Sequence, residues 1–200
     1  MRKIAYLIAA TISAATLALI SSSAMAATAS TSAPAAQRAI TTAAQPDSSA
    51  PWAELYNYHS GKCLEVPGFS TTAGTQLDQW GCNGGENQLW RAYQNTSGDY
   101  IFLNEYSGQC INVRGYSTSQ DAAIQQWPCT EGSATTNEIW YADLFIGNMG
   151  GLSYYEWAGL QSNMCLNVSG DSTADGAKII QYSCIPQGAS NEWFALPYWS

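Results

Sequence analysis

Charge is scarce in this 200-residue chain. Asp, Glu, Lys and Arg make up 11% of it, with 7 basic side chains against 15 acidic ones. So small a basic complement argues against nucleic acid, anionic lipid and anionic polysaccharide, all of which need a cationic face. Histidine occurs once, at His59, and no Cys-x-x-Cys is present, so the usual zinc ligand set is missing. After the first twenty-six residues no stretch is apolar and long enough to span a bilayer. No segment keeps a helical period for more than a turn or two. The class left open is a small all-β protein without metal, cofactor or membrane span.

What is present repeats. From Cys63 the chain reads CLEVPGFSTTAGTQLDQWGC, from Cys110 CINVRGYSTSQDAAIQQWPC, and from Cys165 CLNVSGDSTADGAKIIQYSC. The copies align without a gap, and each pair of cysteines is nineteen positions apart. Each has a Gly five positions after its first cysteine (Gly68, Gly115, Gly170). Each also has an aromatic two positions before its second, at Trp80, Trp127 and Tyr182. A related tetrapeptide closes each copy: Asn87-Gln88-Leu89-Trp90, Asn137-Glu138-Ile139-Trp140 and Asn191-Glu192-Trp193-Phe194. The chain carries an internal threefold repeat.

The segments before the repeats read differently. Arg2 and Lys3, the weakly apolar run Ile4 to Ile20 and the small-x-small site Ala24-Met25-Ala26 predict a signal peptide over residues 1–26, hence export. Residues 27–51 are almost entirely Ala, Thr, Ser, Pro and Gln. They lack the large side chains that would offset the entropy of ordering them, so a disordered arm is expected. Residues 52–200 suit one domain, with repeats at about 52–97, 98–146 and 147–200. Loss of Arg2 and Lys3 with the signal leaves five basic against fifteen acidic residues, a net charge of −10.

An exported chain with six cysteines reads as a disulfide protein. The repeat suggests one bond per copy: Cys63–Cys82, Cys110–Cys129 and Cys165–Cys184. Short aromatic or β-branched segments at Glu54 to Tyr58, Tyr100 to Asn104 and Ser153 to Trp157 read as strands ending in turns. Thr75 to Trp80, Ala123 to Trp127 and Lys178 to Tyr182 read as a second strand type, giving roughly twelve strands in all. The first cysteines are 47 and then 55 positions apart, so the third repeat carries extra residues; Ile146 to Gly151 reads as an exposed, mobile loop.

Cys-Leu-Glu-Val, a Trp two before the second cysteine, then Asn-Gln-Leu-Trp: this combination resembles the ricin B-type lectin family. The resemblance covers all three repeats and implies a β-trefoil with a Gln-x-Trp motif closing each repeat. The motif is complete only in Gln88-Leu89-Trp90. The resemblance also implies that Trp90, Trp140 and Phe194 are core near the pseudo-threefold axis.

By the same resemblance, each repeat offers a sugar site of four positions. These are Glu65, Asp78, Trp80 and Asn87 in the first and Asn112, Gln125, Trp127 and Asn137 in the second. The third offers Asn167, Ile180, Tyr182 and Asn191. A pyranose presents an apolar C–H face and a fan of hydroxyls, so it needs a flat aromatic beside fixed donors and acceptors. The family's Asp two after the first cysteine is kept in no copy: Glu65 keeps the charge, Asn112 and Asn167 lose it. Ile180 cannot hydrogen-bond, so the sites rank first, second, third.

The expected function is a secreted, monomeric, non-catalytic lectin that binds neutral oligosaccharides or polysaccharides through weak sites used together, with no cofactor. A secreted interaction or inhibitor protein on the same frame is the alternative. A small glycosidase comes last, since no carboxylate pair stands out and His59 sits in a turn, where a solvated histidine is expected.

Overall fold

The structure, a computed structural model, describes residues 50–130, 136–185 and 190–196. The expected signal peptide (1–26) and nearly all of the expected arm (27–51) lie outside these residues. Among those described, the chain is all-β, its only helical turns being six 3-10 turns of three residues. Thirteen strands follow in order. The first repeat supplies β1 (Ala53–Glu54), β2 (Tyr56–Asn57), β3 (Cys63–Glu65), β4 (Asp78–Trp80) and β5 (Leu89–Gln94). The second supplies β6 (Tyr100–Asn104), β7 (Gln109–Val113), β8 (Ile124–Pro128) and β9 (Trp140–Met149), and the third β10 (Leu152–Gly159), β11 (Met164–Val168), β12 (Ile179–Ser183) and β13 (Trp193–Leu196). Since β1 and β2 flank Leu55 in one interrupted strand, each repeat has four strands, as the sequence predicts.

Pairing closes a ring: β1–β5, β5–β6, β6–β9, β9–β10, β10–β13 and β13–β2 are all antiparallel neighbours. The first and last strands of the three repeats thus form a six-stranded barrel without a free edge. The middle strands make three hairpins, β3–β4, β7–β8 and β11–β12. Bridges Gln76–Gln125, Ala123–Ile180 and Lys178–Asp78 link each hairpin to the next around the threefold axis. This is a β-trefoil.

The core explains the repeated apolar positions. Trp90, Trp140 and Phe194 are buried, and the two indole N–H groups donate to the carbonyls of Leu64 and Ile111. Leu64, Ile111 and Leu166, the residues after each first cysteine, pack with Val66, Val113 and Val168 in the same cluster. The three disulfides join the expected partners. Oxidation of all six cysteines removes their thiolates as metal ligands.

The stretch Ile146 to Gly151 departs from expectation. It is no loose loop: β9 runs on to Met149, β10 begins at Leu152, and Gly150 and Gly151, both at positive φ, make the tight turn between them. The extra residues of the third repeat lengthen a hairpin, with Phe145 over Tyr155 at 5.2 Å between ring centres.

Candidate functional site

The four positions named from the sequence come together in every repeat, and the hairpins bring them there. The residue two after the first cysteine lies across the hairpin from the residue four before the second: Glu65 opposite Asp78, Asn112 opposite Gln125, Asn167 opposite Ile180. The aromatic is two positions further on, hence on the same face of its strand. Trp80 and Trp127 are 45% and 47% exposed, and Tyr182 is half-buried.

The asparagine of the closing motif fixes the floor. Asn87 Nδ2 donates to Glu65 Oε2 (3.3 Å) and the Val66 carbonyl (3.0 Å). Asn137 does the same to Asn112 Oδ1 (3.2 Å) and Val113 (3.0 Å), and Asn191 to Asn167 Oδ1 (3.2 Å) and Val168 (3.0 Å). Three asparagines are therefore held alike, each beneath an aromatic wall.

The second repeat forms an open pocket of about 470 Å³. Asn112, Gln125, Trp127 and Asn137 all line it, joined by Arg114 and Tyr116. Asn112 Oδ1 also accepts from Gln125 Nε2 (3.2 Å), so that oxygen is already occupied twice. Arg114 is held by two bonds, Nε to Gln125 Oε1 and Nη2 to the Gly74 carbonyl, each 2.8 Å.

The first repeat differs in charge. Glu65 and Asp78 are both buried side by side, and Lys178 of the third repeat donates to Asp78 Oδ2 at 2.8 Å. Burial pushes both carboxyls above their ordinary range. Glu65 is raised further by the Asp78 charge and held back by the Gln88 amide, whereas Lys178 restrains Asp78. Asp78 Oδ1 and Asn87 Oδ1 are buried acceptors without a hydrogen-bond partner. Two such atoms under an exposed indole are suited to hydroxyl donors.

The third site is the plainest. Ile180 is buried and contributes an apolar floor, and Asn167 turns its Nδ2 to Glu192 Oε1 (3.0 Å). A compensated exchange explains this. In the first repeat the carboxylate is at Glu65 and accepts from the amide of Gln88 (2.9 Å); in the third the amide is at Asn167 and the carboxylate at Glu192. The acid–amide pair is kept with its members reversed, which places the charge of the third repeat at a fully buried position.

Several contributors were not singled out from the sequence. Trp127 and Trp80 each rest on a glycine of the preceding repeat: a Cβ at Gly74 would lie 3.6 Å from the Trp127 ring, and one at Gly176 3.8 Å from the Trp80 ring. Both glycines have positive φ, and in the third site Asp121 stands at that position, also at positive φ. Phe69 and Tyr116 hold φ of 54° and 55°, unusual for aromatic residues, and both are about half exposed. Gln79, Gln126 and Gln181 are fully buried clamps. Each donates to two carbonyls of the preceding repeat's loop: Ser172 and Ala174, Ser70 and Thr72, Ser117 and Ser119. The identical Gln three before each second cysteine was the available signal.

His59 lies in its expected turn but is not a free, solvated side chain. Its Nε2 is 3.3 Å from Asp171 Oδ1 and its Nδ1 3.1 Å from Ser190 Oγ. The corresponding pairs at the other repeat junctions are Tyr106 on Phe69 and Gln161 on the Tyr116 carbonyl. With Asp171 64% exposed, the trio is the third member of a junction series.

Sequence models of known families agree with this geometry. Residues 45–127 match the model described as a ricin-type beta-trefoil lectin domain-like family. A designed threefold-symmetric protein, ThreeFoil, is 33% identical, with a TM-score of 0.64 over 72% of this chain and 96% of its own. The chain belongs to the ricin-type β-trefoil lectin-like family. Among larger proteins, the exo-β-1,3-galactanase 1,3Gal43A from Clostridium thermocellum is 25% identical to this lectin-like chain. Its TM-score is 0.64 over 76% of this chain and 31% of that one. The hemolytic lectin CEL-III is 22% identical, with a TM-score of 0.55 over 72% of this chain and 29% of its own, a likeness of fold. The lectin-like chain thus spans about a third of each of these two larger proteins.

Proposed function

We propose that this protein is a secreted, non-catalytic lectin that binds carbohydrate through up to three sites, one per repeat, used together on a polymer or glycan array. The observation that carries the reading is the placement of Trp80 and Trp127, half exposed above buried polar floors. A sugar ring laid on such an indole loses water from its C–H face while its hydroxyls meet groups already fixed in place. Candidate contacts are Glu65, Asp78, Trp80 and Asn87; Asn112, Gln125, Trp127 and Asn137; and Asn167, Tyr182 and Asn191.

Open sites of this kind bind weakly, near millimolar or about −4 kcal/mol each. Rigid spacing of three on one barrel supplies avidity without new contacts. Neutral oligosaccharides or polysaccharides are the expected partners, with the protein a monomer and export directed by residues 1–26. Lectin-like membership and the lectins and galactanase among its structural neighbours support a carbohydrate ligand.

Affinity electrophoresis through gels containing galactan, arabinan or xylan tests the reading. Retardation by at least one polymer, weakened by Trp80→Ala and by Trp127→Ala in folded protein, is expected. Equal mobility in every gel would remove carbohydrate binding and leave the alternative, an interaction protein.

A further inference from the structure

The second pocket differs from the first in a way that names its ligand class. Its side-chain floor is made of amides, Asn112, Gln125 and Asn137, where the first site has two carboxyls. Arg114 supplies a cation at its lip. The equivalent positions hold Pro67 and Ser169, so the second site alone has a cation at this place. The guanidinium is not loose: Nε and Nη2 are fixed by Gln125 and the Gly74 carbonyl. Of its five N–H donors, three remain, and they include the Nη1/Nη2 end that grips a carboxylate with two parallel bonds. The carboxylate of the repeat's closing motif, Glu138, is fully buried and engaged by the Thr130 amide at 3.2 Å.

We propose that the second site takes an acidic sugar, a hexuronic acid whose ring lies on Trp127 and whose carboxylate meets Arg114. The inference rests on the carbohydrate-binding reading above and narrows it. It also qualifies the exclusion of anionic polysaccharide drawn from net charge: one prearranged guanidinium reads one carboxylate without a basic face. An immobilised fork loses little side-chain entropy on binding, which favours it over a free surface arginine.

The test uses one polymer in two forms, polygalacturonate as free acid and fully methyl-esterified, which share the ring and differ in charge. Titration calorimetry is run on Trp80→Ala, where the first site is disabled. Free acid is expected to bind roughly tenfold more tightly than ester, with the difference shrinking as salt rises. Arg114→Gln should bring the ratio to about one, and Arg114→Lys, which keeps charge but not the fork, should leave it in between. Thermal melts confirm that each variant is folded.

Equal binding of acid and ester by the Trp80→Ala protein overturns the inference and leaves the lectin reading intact. A ratio unmoved by Arg114→Gln overturns the assignment to Arg114. Binding of neither form, nor of any neutral polymer, overturns both readings.

Discussion

The first and second sites share a frame and differ in what the frame holds. Both have an exposed tryptophan resting on a neighbour's glycine and an asparagine pinning the floor. In the first, two buried carboxyls look up at the indole, one tied to Lys178. In the second, amides satisfy one another and a tethered guanidinium faces the pocket. The difference teaches that the trefoil fixes positions while the chemistry at each is free to change, provided its hydrogen bonds still close. The acid–amide reversal between Glu65–Gln88 and Asn167–Glu192 is that proviso at work.

The comparison can be broken most forcefully at the tryptophans. Trp90→Ala, deep in the barrel, should cost about 3–5 kcal/mol, whereas Trp80→Ala and Trp127→Ala should leave the urea midpoint nearly unchanged. A large loss from either wall variant would make the walls core and end the comparison.

Next in size is the reversal. Asn167→Asp adds a further carboxylate beside Glu192, which already has the buried Glu156 close by, and should destabilise by about 2–4 kcal/mol. Adding Glu192→Gln recreates the first repeat's arrangement and should recover most of it. A double-mutant cycle reads this directly, and simple additivity would show that the two residues do not act as a pair.

A smaller effect sharpens the contrast in valency. Removing both Trp80 and Trp127 should weaken binding to a polymer by more than the product of the single losses, because linked sites become separate ones. Affinity electrophoresis on the singles and the double measures it.

The smallest is a pH effect confined to the first site. Glu65 and Asp78 are raised above 4.5 and 3.8 by burial. A raised carboxyl contributes stability that is fully present below its unfolded value and lost as pH rises through its folded one. Ionisation also turns each carboxyl into a stronger acceptor. From pH 4 upward, the first site should therefore bind neutral sugar more tightly while its carboxyls cost stability. Binding by the Trp127→Ala protein should rise across that range, and Glu65→Gln with Asp78→Asn should flatten it.

Much of this was legible in the chain. The cysteine spacing gave the three disulfides, and the apolar ends of the closing motifs gave Trp90, Trp140 and Phe194 as core. The four positions of each candidate site were implied by the resemblance to the ricin B-type lectins, and their fixed offsets within one repeat carried them to all three copies. What was hidden joins different repeats. The glycines under the tryptophans, the Gln79, Gln126 and Gln181 clamps, Lys178 on Asp78 and Asp171 on His59 all reach across a repeat boundary. The strand identity of Ile146 to Met149 was masked for another reason: Gly147, Gly150 and Gly151 read as a loop until cross-strand pairing with β10 overrides local preference.

By itself the sequence determined the threefold repeat and its covalent ties, since spacing within one hairpin suffices for that, and the resemblance it carries implied the side chains gathered in each copy. Only the tertiary structure decided which groups from neighbouring repeats stand against the charges at each site. Closing the barrel brings the end of one repeat against the start of the next, and a site's electrostatics depend on whichever group arrives there, be it Lys178 beside Asp78 or the Gly74 carbonyl that steadies Arg114.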